Sequence, residues 1–377
     1  MSKIDDLIAK LCPNGVEYKT IEEVCSTVSA GGDLPENYEK GQLVPTDKFP
    51  YPIYSNGSNE NALYGFTNTY RIDKDAVTVS ARGTIGYHAV RKKFFTPIVR
   101  LITLLPNNRI ITAEYLNYAL DITEIGHSGG SIPQLTVPNI KKVCIPVPPL
   151  EIQREIVKVL DTFTKLEAEL EAELEARRRQ YHYYRDQLLN FEGRDDVQWM
   201  TLGEVAINQD SKRRPVTKSA RNKGEIPYYG ASGIVDYVSD YIFDGDFLLV
   251  SEDGANLIAR STPIAFSISG KTWVNNHAHV LQFNSYTERK LIEIYLNSID
   301  LTPYISGGAQ PKLNQANLNK IPIPVPPLEE QTRIVAILDK FDALVNDLSS
   351  GLPAEISARR KQYEYYRDRL LTFKEAQ

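Results

Sequence analysis

The 377-residue sequence has little cysteine and no long apolar run. Its three cysteines, Cys12, Cys25 and Cys144, are far apart, and no CxxC or Cys/His spacing surrounds them, so neither a zinc site nor a disulfide framework is expected. The opening MSKIDDLIAKL lacks the basic start and apolar core of a signal peptide, and no stretch reaches the ~18 apolar residues of a membrane span. The sequence therefore predicts a soluble, cytoplasmic protein without membrane contact.

Motifs of catalysis are also missing. The sequence has no P-loop, no GxGxxG and no Asn/Asp-Pro-Pro-aromatic motif, the last of which is expected of an adenine aminomethyltransferase. His277 and His279 share one face of a predicted strand, but no third ligand or base stands nearby, so we interpret them as structural histidines. The chain is predicted to be non-catalytic by itself and to bind no metal.

An excess of basic residues, which phosphate contacts would favour, is absent as well. The formal net charge is −5, from 43 Lys and Arg against 48 Asp and Glu. Residues 1–150 hold 15 basic and 15 acidic residues and residues 193–328 hold 13 and 14, whereas residues 151–192 hold 7 and 10. Both large segments are therefore near neutral and can still collect basic residues on one face.

An internal repeat is the main feature that the sequence does have. SGGSIPQLTVPNIKKVCIPVPPLEIQREIVKVLDTF at 128–163 matches SGGAQPKLNQANLNKIPIPVPPLEEQTRIVAILDKF at 306–341, and RRRQYHYYRDQLLNF at 177–191 matches RRKQYEYYRDRLLTF at 359–373. VEYKTIEEV at 16–24 likewise matches VQWMTLGEV at 197–205, but the stretches between these anchors diverge. A period of about 180 residues is too long for a solenoid unit of ~20–50 residues, so each copy is predicted to be a domain followed by a helix.

Each repeat is predicted to end in a long amphipathic helix. From Ile152 to Leu174, apolar residues recur at three and four positions in a charged stretch that begins after PVPP. The second helix begins in the same way, but Gly351 and Pro353 are expected to interrupt it before it resumes at Ala354. Two such stripes in one chain bury most simply against each other, which predicts an antiparallel pair.

The predicted fold class is α+β, with two mixed α/β domains separated by two long antiparallel helices in a pseudo-twofold, circular arrangement. Because residues 5–11 resemble 185–191, the N-terminus is expected to complete the C-terminal repeat. The predicted boundaries are 1–15 for this N-terminal helix, 16–150 for the first domain, 151–192 for a central spacer helix, 193–328 for the second domain and 329–377 for a C-terminal spacer helix.

Several basic and aromatic residues are candidates for contact with nucleic acid. The loop at 211–223 carries six basic residues and no acid, while YSNGSN at 54–59 and YYGASG at 228–233 place tyrosines beside small hydrogen-bonding residues, as a base-reading loop would. A solvated loop and ordinary turns are the alternative interpretations. The candidate DNA-binding residues are Tyr54, Asn56, Arg82, Arg91, Lys92, Lys93, Lys141, Lys142, Lys212, Arg213, Arg214, Lys218, Arg221, Lys223, Tyr229, Ser232 and Lys312.

Over its whole length, the chain resembles the specificity (S) subunit of type I restriction-modification systems. The repeated IPVPPLEIQREIVKVLD and IPVPPLEEQTRIVAILD, the two tyrosine-rich helix ends and the opening LCPNGVEYKTIEEV carry the resemblance together. It implies that the divergent segments are target recognition domains, each reading one half of a bipartite double-stranded DNA site. It also implies that the helices dock two methyltransferase (M) subunits, which methylate adenine N6 with S-adenosylmethionine, and that restriction (R) subunits with ATP and Mg add cleavage. The chain itself would bind none of these cofactors.

The resemblance suggests roles for two features of the helices. The repeated end clusters, Tyr181, Tyr183, Tyr184 and Arg185 with Tyr363, Tyr365, Tyr366 and Arg367, are candidates for partner contact or for packing within the helix pair. LEAELEAELEAR at 166–177 repeats a four-residue unit, and one unit adds ~6 Å of helix, comparable to one or two base-pair steps of ~3.4 Å. We predict that this helix sets the gap between half-sites; the alternative is a repeat that only makes a stable helix.

Two other functions stay open at this point. One is the specificity subunit of a modification-only or phase-variable methylation system. The other is a coiled-coil scaffold without a DNA role, which would explain the helices but not two different domains on similar frames.

Overall fold

The computed structural model describes residues 2–125, 134–308 and 310–376, which form two compact units. Unit 1 comprises Met1–Glu171 and Glu355–Gln377, and unit 2 comprises Ala172–Ala354. The division falls inside the long helix Leu150–Leu188, so each unit contains one domain and part of this helix. The beginning of the first long repeat, at 128–133, lies outside the described residues.

Unit 1 is built on two four-stranded sheets. Its strands are β1 (Tyr18–Thr20), β2 (Cys25–Ala30), β3 (Tyr38–Lys40), β4 (Tyr51–Tyr54), β5 (Leu63–Thr67), β6 (Ala76–Ser80), β7 (His88–Arg91), β8 (Thr96–Pro97), β9 (Leu101–Pro106) and β10 (Cys144–Pro146). Its helices are α1 (Ser2–Leu11), α2 (Ile21–Val24), α3 (Ala113–Asp121), α4 (Val137–Lys141) and the first part of α5 (Leu150–Leu188). The sheet orders are β2-β9-β6-β7 and β3-β5-β4-β8, and β1 pairs with β10 in a short ribbon.

Unit 2 repeats this plan. Its strands are β11 (Gln198–Thr201), β12 (Ile207–Asn208), β13 (Lys223–Gly230), β14 (Gly233–Val238), β15 (Phe243–Asp244), β16 (Phe247–Ser251), β17 (Ala265–Ile268), β18 (Lys271–Val274), β19 (Ala278–Gln282) and β20 (Pro322–Val325). Its helices are α6 (Leu202–Val205), α7 (Asn256–Ala259), α8 (Tyr286–Ser298), α9 (Gln315–Leu318) and α10 (Leu328–Asn346); the last helix, α11 (Leu352–Leu371), lies mostly in unit 1. The sheet orders are β12-β19-β16-β17 and β14-β13-β18-β15, and β11 pairs with β20.

The two units share even the unusual pairing in the second sheet. β4 pairs with β8 in parallel, and β13 pairs with β18 in parallel, although the other pairs in these sheets are antiparallel. The units differ at an edge of that sheet. In unit 1, β3 pairs with the outer side of β5, whereas in unit 2 β14 is itself an edge strand. The two copies therefore share a central arrangement of strands and differ in the strand at its edge.

The repeated sequence segments make the same local contacts in both units. Thr20 and Glu23 form a capping box at the start of α2, and Thr201 and Glu204 form one at the start of α6. In each box the threonine N–H donates to the glutamate Oε2 at 2.7 Å. These contacts explain why TIEEV and TLGEV are alike where the surrounding sequence is not.

A buried glutamine fixes each long helix to its domain. Gln153 is fully buried and its Nε2 donates to the Pro148 carbonyl at 2.8 Å; Gln331 donates in the same way to the Pro326 carbonyl at 2.8 Å. Because the prolines of the repeated PVPP segment leave these carbonyls without a helical partner, the amide satisfies a buried acceptor. The helices thus begin as rigid continuations of their domains.

The helices pack in antiparallel fashion within each unit. In unit 1, Phe163 of α5 stacks on Tyr366 of α11 with ring centroids 5.4 Å apart. In unit 2, Phe341 of α10 stacks on Tyr184 of α5 at 5.6 Å. The start of each repeated helix is therefore packed against the end of the other, as the amphipathic stripes predict.

The interruption predicted in the second helix is present, between Asn346 and Leu352. Asp347 accepts hydrogen bonds from the N–H of Ser349, at 2.7 Å, and from the hydroxyl of Ser350. A Cβ on Gly351 would lie 2.5 Å from the Ala343 carbonyl oxygen, so only glycine fits there. The helix resumes at Leu352, two residues before the predicted point, with Pro353 in its first turn.

The two ends of the chain meet in unit 1. The Val16 N–H donates to the Lys374 carbonyl at 2.8 Å, and the Ala376 N–H donates to the Val16 carbonyl at 3.0 Å. Ile4 of α1 and Leu371 of α11 are buried in the core of the first domain. The N-terminal helix is thus packed with the C-terminal helix.

Candidate nucleic-acid interface

Four candidates of the first domain come together where β4 ends. The Arg91 guanidinium lies over the Tyr54 ring, 4.0 Å from its centroid, and its Nε donates to Thr78 Oγ1 at 3.1 Å. Asn56 donates from Nδ2 to the Arg82 carbonyl at 2.7 Å, which ties the loop after β4 to the loop after β6. These contacts hold a tyrosine, an amide and two arginines at one edge of the domain.

The lysines of the first domain divide into paired and unpaired residues. Lys92 bridges Asp75 and Glu114 at 2.9 Å each, and Lys141 contacts Glu22 at 2.9 Å. The hydrogen bonds that Lys92 donates to Asp75 and Glu114 raise the pKa of Lys92. Lys93 and Lys142 are exposed and make no ion pair within the described ranges, so they are the better phosphate candidates.

The basic loop of the second domain divides in the same way. Arg221 donates to Asp236 at 2.9 Å and lies 4.3 Å from the centroid of the Tyr228 ring, with its side chain 17% exposed. The Asp236 hydrogen bond raises the pKa of Arg221. Four other cations are exposed and without an ion pair in the part of the chain described: Lys212, Arg214, Lys218 and Lys223.

Arg213 points into the domain, where it joins a buried group of charges that we call the ionic cluster: Asp210, Arg213, Glu252 and His279. Arg213 donates to Glu252 at 2.6 Å and to the Ala278 carbonyl at 2.8 Å, and it lies 3.2 Å from Asp210. His279 contacts Asp210 Oδ2 through Nδ1 at 2.5 Å and the Leu313 carbonyl through Nε2 at 2.7 Å. Both ring nitrogens of His279 thus face oxygen atoms that accept hydrogen bonds.

The neighbours of the two carboxyl groups in the ionic cluster lower their pKa values. Burial raises the pKa of Asp210, but the hydrogen bond and charge of His279 have the opposite effect. Together with the other contacts they outweigh burial, so that the pKa of Asp210 lies below its ordinary value. Burial also raises the pKa of Glu252, but the hydrogen bonds from Arg213 and Lys312, together with nearby charges, lower it by more. Asp210, Glu252 and His279 bring three potential metal-ligand atoms within 4.8 Å of one another, yet Arg213 and the Leu313 carbonyl already engage these atoms. The geometry therefore favours an ionic support for the surrounding loops.

The remaining candidates of the second domain lie on β13, in the turn after it, and beside the ionic cluster. Tyr229 is half-buried beside Phe266, with ring centroids 6.1 Å apart, and burial raises its pKa. Ser232 is exposed in the turn between β13 and β14. Lys312 lies 3.0 Å from Glu252 and is 51% exposed, so it borders the ionic cluster.

The tyrosine clusters at the helix ends have two kinds of member. Tyr181 and Tyr184 pack within unit 2, and Tyr363 and Tyr366 pack within unit 1. Arg185 and Arg367 each pair with the next residue, Asp186 or Asp368, at 2.7 Å. Tyr183 and Tyr365, at equivalent positions of the repeat, are 61% and 59% exposed. Packing thus uses two tyrosines of each cluster, of which Tyr184 is still 40% exposed, and leaves the third mostly on the surface.

Sequence reasoning missed the acids that engage the arginines and the histidines. The expectation that no base stands near His277 and His279 is wrong, because Asp253 contacts the first and Asp210 the second. Asp236 and Glu252 are 15 and 39 residues away from the arginines that they bind, so no local pattern reveals them. Asp210 stands three residues before Arg213, and this i, i+3 spacing was the available signal.

The comparison with known proteins decides the family. The sequence model described as type I restriction modification DNA specificity domain matches twice, at residues 13–176 and 194–358. The chain belongs to the type I restriction-modification specificity subunits. The family predicted from the sequence is confirmed, and with it DNA sequence recognition as the role of this subunit.

Curated specificity subunits match over different lengths. The specificity subunit of the Escherichia coli type I restriction enzyme EcoR124I/EcoR124II is 31% identical over 368 residues, which cover 87% of this chain and 88% of the relative. A putative type I restriction enzyme specificity subunit of Haemophilus influenzae is 42% identical over 184 residues. That match covers 48% of this chain and 47% of the relative, about half of each.

Solved structures of the specificity family have the same fold. The crystal structure of the S subunit of a type I restriction-modification system from M. genitalium matches with a TM-score of 0.62 and 17% identity, over 95% of this chain and 96% of that chain. A chain from a structural study of complex assembly and conformational transition in the type I restriction-modification system matches with a TM-score of 0.57. The match covers 95% of this chain and 98% of that chain. The predicted fold class, two mixed α/β domains joined by long helices, is confirmed.

Among the described residues, no helix is long and apolar enough to cross a membrane.

Proposed function

We propose that each domain of this specificity subunit reads one half of a bipartite DNA site, while the helix ends dock two methyltransferase subunits. The observation that carries the proposal is one frame with two different surfaces. Both units have two four-stranded sheets, a capping box and a stacked pair of helix aromatics. The candidate contact loops, in contrast, have different residues and different lengths. A scaffold would not need its domains to differ, whereas an asymmetric DNA site requires it.

The unpaired cations supply the contacts to phosphate. Lys93 and Lys142 serve the first domain, and the four exposed cations of the basic loop serve the second. Phosphate contacts position a protein, and base contacts specify the sequence. For base contact the first domain offers the group formed by Tyr54, Asn56, Arg82 and Arg91.

The exposed tyrosines supply the docking surface. Tyr183 and Tyr365 are solvent-exposed at equivalent positions of two equivalent helix ends, which suits two copies of one partner. Large exposed aromatic residues are typical anchors of protein interfaces. The methyltransferase subunits bind S-adenosylmethionine and transfer its methyl group to adenine N6, and restriction subunits with ATP and Mg add cleavage. This chain contributes recognition and spacing, and no reacting group.

A map of methylated adenines tests the proposed function. The chain is expressed with its methyltransferase subunit in a host without other adenine methylation, and N6-methyladenine is mapped across the genome. We expect one motif with two constant halves and a nonspecific gap. Expression of the methyltransferase subunit alone is the control and should give no such motif. Methylation without a bipartite motif would contradict the proposal.

A further inference from the structure

A cleft of about 660 Å³ opens in the second domain beside the loop that follows β16. Ala255, Ile258 and Ala259 make one side apolar, and Ile258 is 58% exposed. Asp253, His277 and Gln310 contribute the polar part of the lining. An apolar surface with a few convergent polar atoms is typical of a site that recognises a ligand.

The polar part of this cleft has a defined hydrogen-bonding pattern. His277 Nδ1 lies 2.9 Å from both carboxylate oxygens of Asp253. Because a carboxylate only accepts, Nδ1 carries the proton and the Nε2 of a neutral His277 is an acceptor. The His277 side chain is 51% exposed, and within the described residues Nε2 has no hydrogen-bond partner. The pair therefore presents one oriented acceptor to the cleft.

The ionic cluster holds this pair in place. Glu252, directly before Asp253, is bound by Arg213 and Lys312, and its N–H donates to the His277 carbonyl at 2.9 Å. On the other side, the Leu313 N–H donates to the Glu252 carbonyl at 2.7 Å. The backbone carrying Asp253 is thus fixed to both neighbouring segments, as an element that selects a ligand by geometry must be.

Two exposed cations stand next to Arg213 in the chain. Arg213 reaches Glu252 and the Ala278 carbonyl, and Lys212 and Arg214 are its exposed neighbours in sequence. The Arg214 N–H donates to the carbonyl of Val274, three residues before His277, at 3.4 Å. These cations can hold a phosphate backbone, whereas the carboxylate of Asp253 would repel one. A nucleic acid bound here must therefore turn a base edge, and not its backbone, towards the pair.

Resting on the DNA recognition proposed above, we propose that His277, oriented by Asp253, is a base-reading residue of the second domain. Its acceptor Nε2 fits an exocyclic amino group in the major groove, that of adenine N6 or cytosine N4. Ile258 offers the apolar contact that suits a thymine methyl group at the same or an adjacent base pair. Asp253 is a positioning residue, since it acts through His277.

Selection from a DNA library tests the assignment. The chain, in complex with its methyltransferase subunit, is incubated with double-stranded DNA in which both half-sites are randomised, and the bound pool is sequenced. For wild type we expect one position of one half-site to prefer A or C on one strand. His277→Phe should reduce the preference at that position about tenfold. Asp253→Ala should relax it towards G and T, because the freed imidazole can also donate.

Internal and matched controls separate the outcomes. The other half-site in the same reads should stay unchanged, and Asp240→Ala, which removes an exposed aspartate of the same domain, should behave like wild type. If wild type selects a bipartite site and both variants select the same site with undiminished preference, this inference is wrong while the proposed function stands. A uniform loss at all positions would show that the pair only maintains the fold. If wild type selects no bipartite site, the proposed function itself fails.

Discussion

Charged residues of the two domains divide into those that hold the fold and those that remain for a ligand. Arg213 and Arg221, both in the most basic segment of the chain, are bound by Glu252 and Asp236. Removing one partner of such a pair leaves the other charge without compensation, so their substitution should disturb folding before it disturbs binding. Exposed and unpaired cations are the residues whose loss should weaken DNA binding alone.

The position of Glu330 gives the stability of unit 2 a defined pH dependence. Arg333 at 2.7 Å and Arg194 at 3.0 Å hold this carboxylate, and they lower its pKa from 4.5 to about 2. Since the folded-state pKa lies below the unfolded one, the stabilisation is complete above about pH 4.5 and is lost as the pH falls towards 2. Glu330→Gln should lower the free energy of unfolding by about 1 kcal/mol at pH 7.

Urea denaturation at a series of pH values measures this difference. The gap between wild type and Glu330→Gln should shrink steadily below pH 4.5. Glu329→Gln is the matched control, because its exposed side chain makes no ion pair in the described part of the chain. A gap that stays constant down to pH 3 would show that the two arginines do not depress the carboxyl pKa.

The tyrosines of each helix end should separate by experiment into two classes. Tyr183→Ala with Tyr365→Ala should weaken binding of the methyltransferase subunit about tenfold or more while thermal stability is kept, because both side chains are exposed. Tyr184→Ala with Tyr366→Ala should lower stability by about 2 kcal/mol, because each ring stacks on a phenylalanine and one such pair contributes roughly 1 kcal/mol. Calorimetric titration and thermal unfolding measure the two effects. Unchanged affinity in the first double variant would place the docking surface elsewhere.

At the scale of elements, the sequence predicts repeated segments well and divergent ones less well. The apolar stripe after PVPP predicts α5 closely, because helix periodicity is a local property. Residues 76–91 are rich in strand-forming residues, yet they form the hairpin of β6 and β7, since Gly83 and Gly86 adopt positive φ angles of 78° and 84° and turn the chain. The partners of Arg213 and Arg221 could not be predicted, because they depend on which strands become neighbours.

The four-residue repeat of α5 should act as a spacer. Along this helix, ion pairs such as Arg177 with Glu173, at 2.7 Å, stabilise the exposed face. Deleting Leu170 to Glu173 removes one unit, or ~6 Å of helix, and should shorten the gap in the methylated motif without changing either half. Methylome mapping of the deletion variant measures the gap. A return of the parental gap would leave the repeat with only a stabilising role.

At the scale of the whole molecule, the chain is two copies of one frame. The second copy is completed in unit 1, where α11 packs against α5 and both chain ends meet. The sequence predicts this duplication because the frame residues, such as Gln153 and Gln331, are the ones that repeat. The divergent stretches carry recognition, and for that reason no repeat pattern predicts their contacts.

Exchange of one domain tests the central claim most directly. Residues 16–140 are replaced by the corresponding segment of a specificity subunit that recognises a different site, and methylated adenines are mapped in a host that also expresses the methyltransferase subunit. The account predicts that one half of the motif changes to that of the donor, while the other half and the gap stay as in the parent. A motif in which both halves change, or neither does, would contradict the claim that each domain reads one half-site independently.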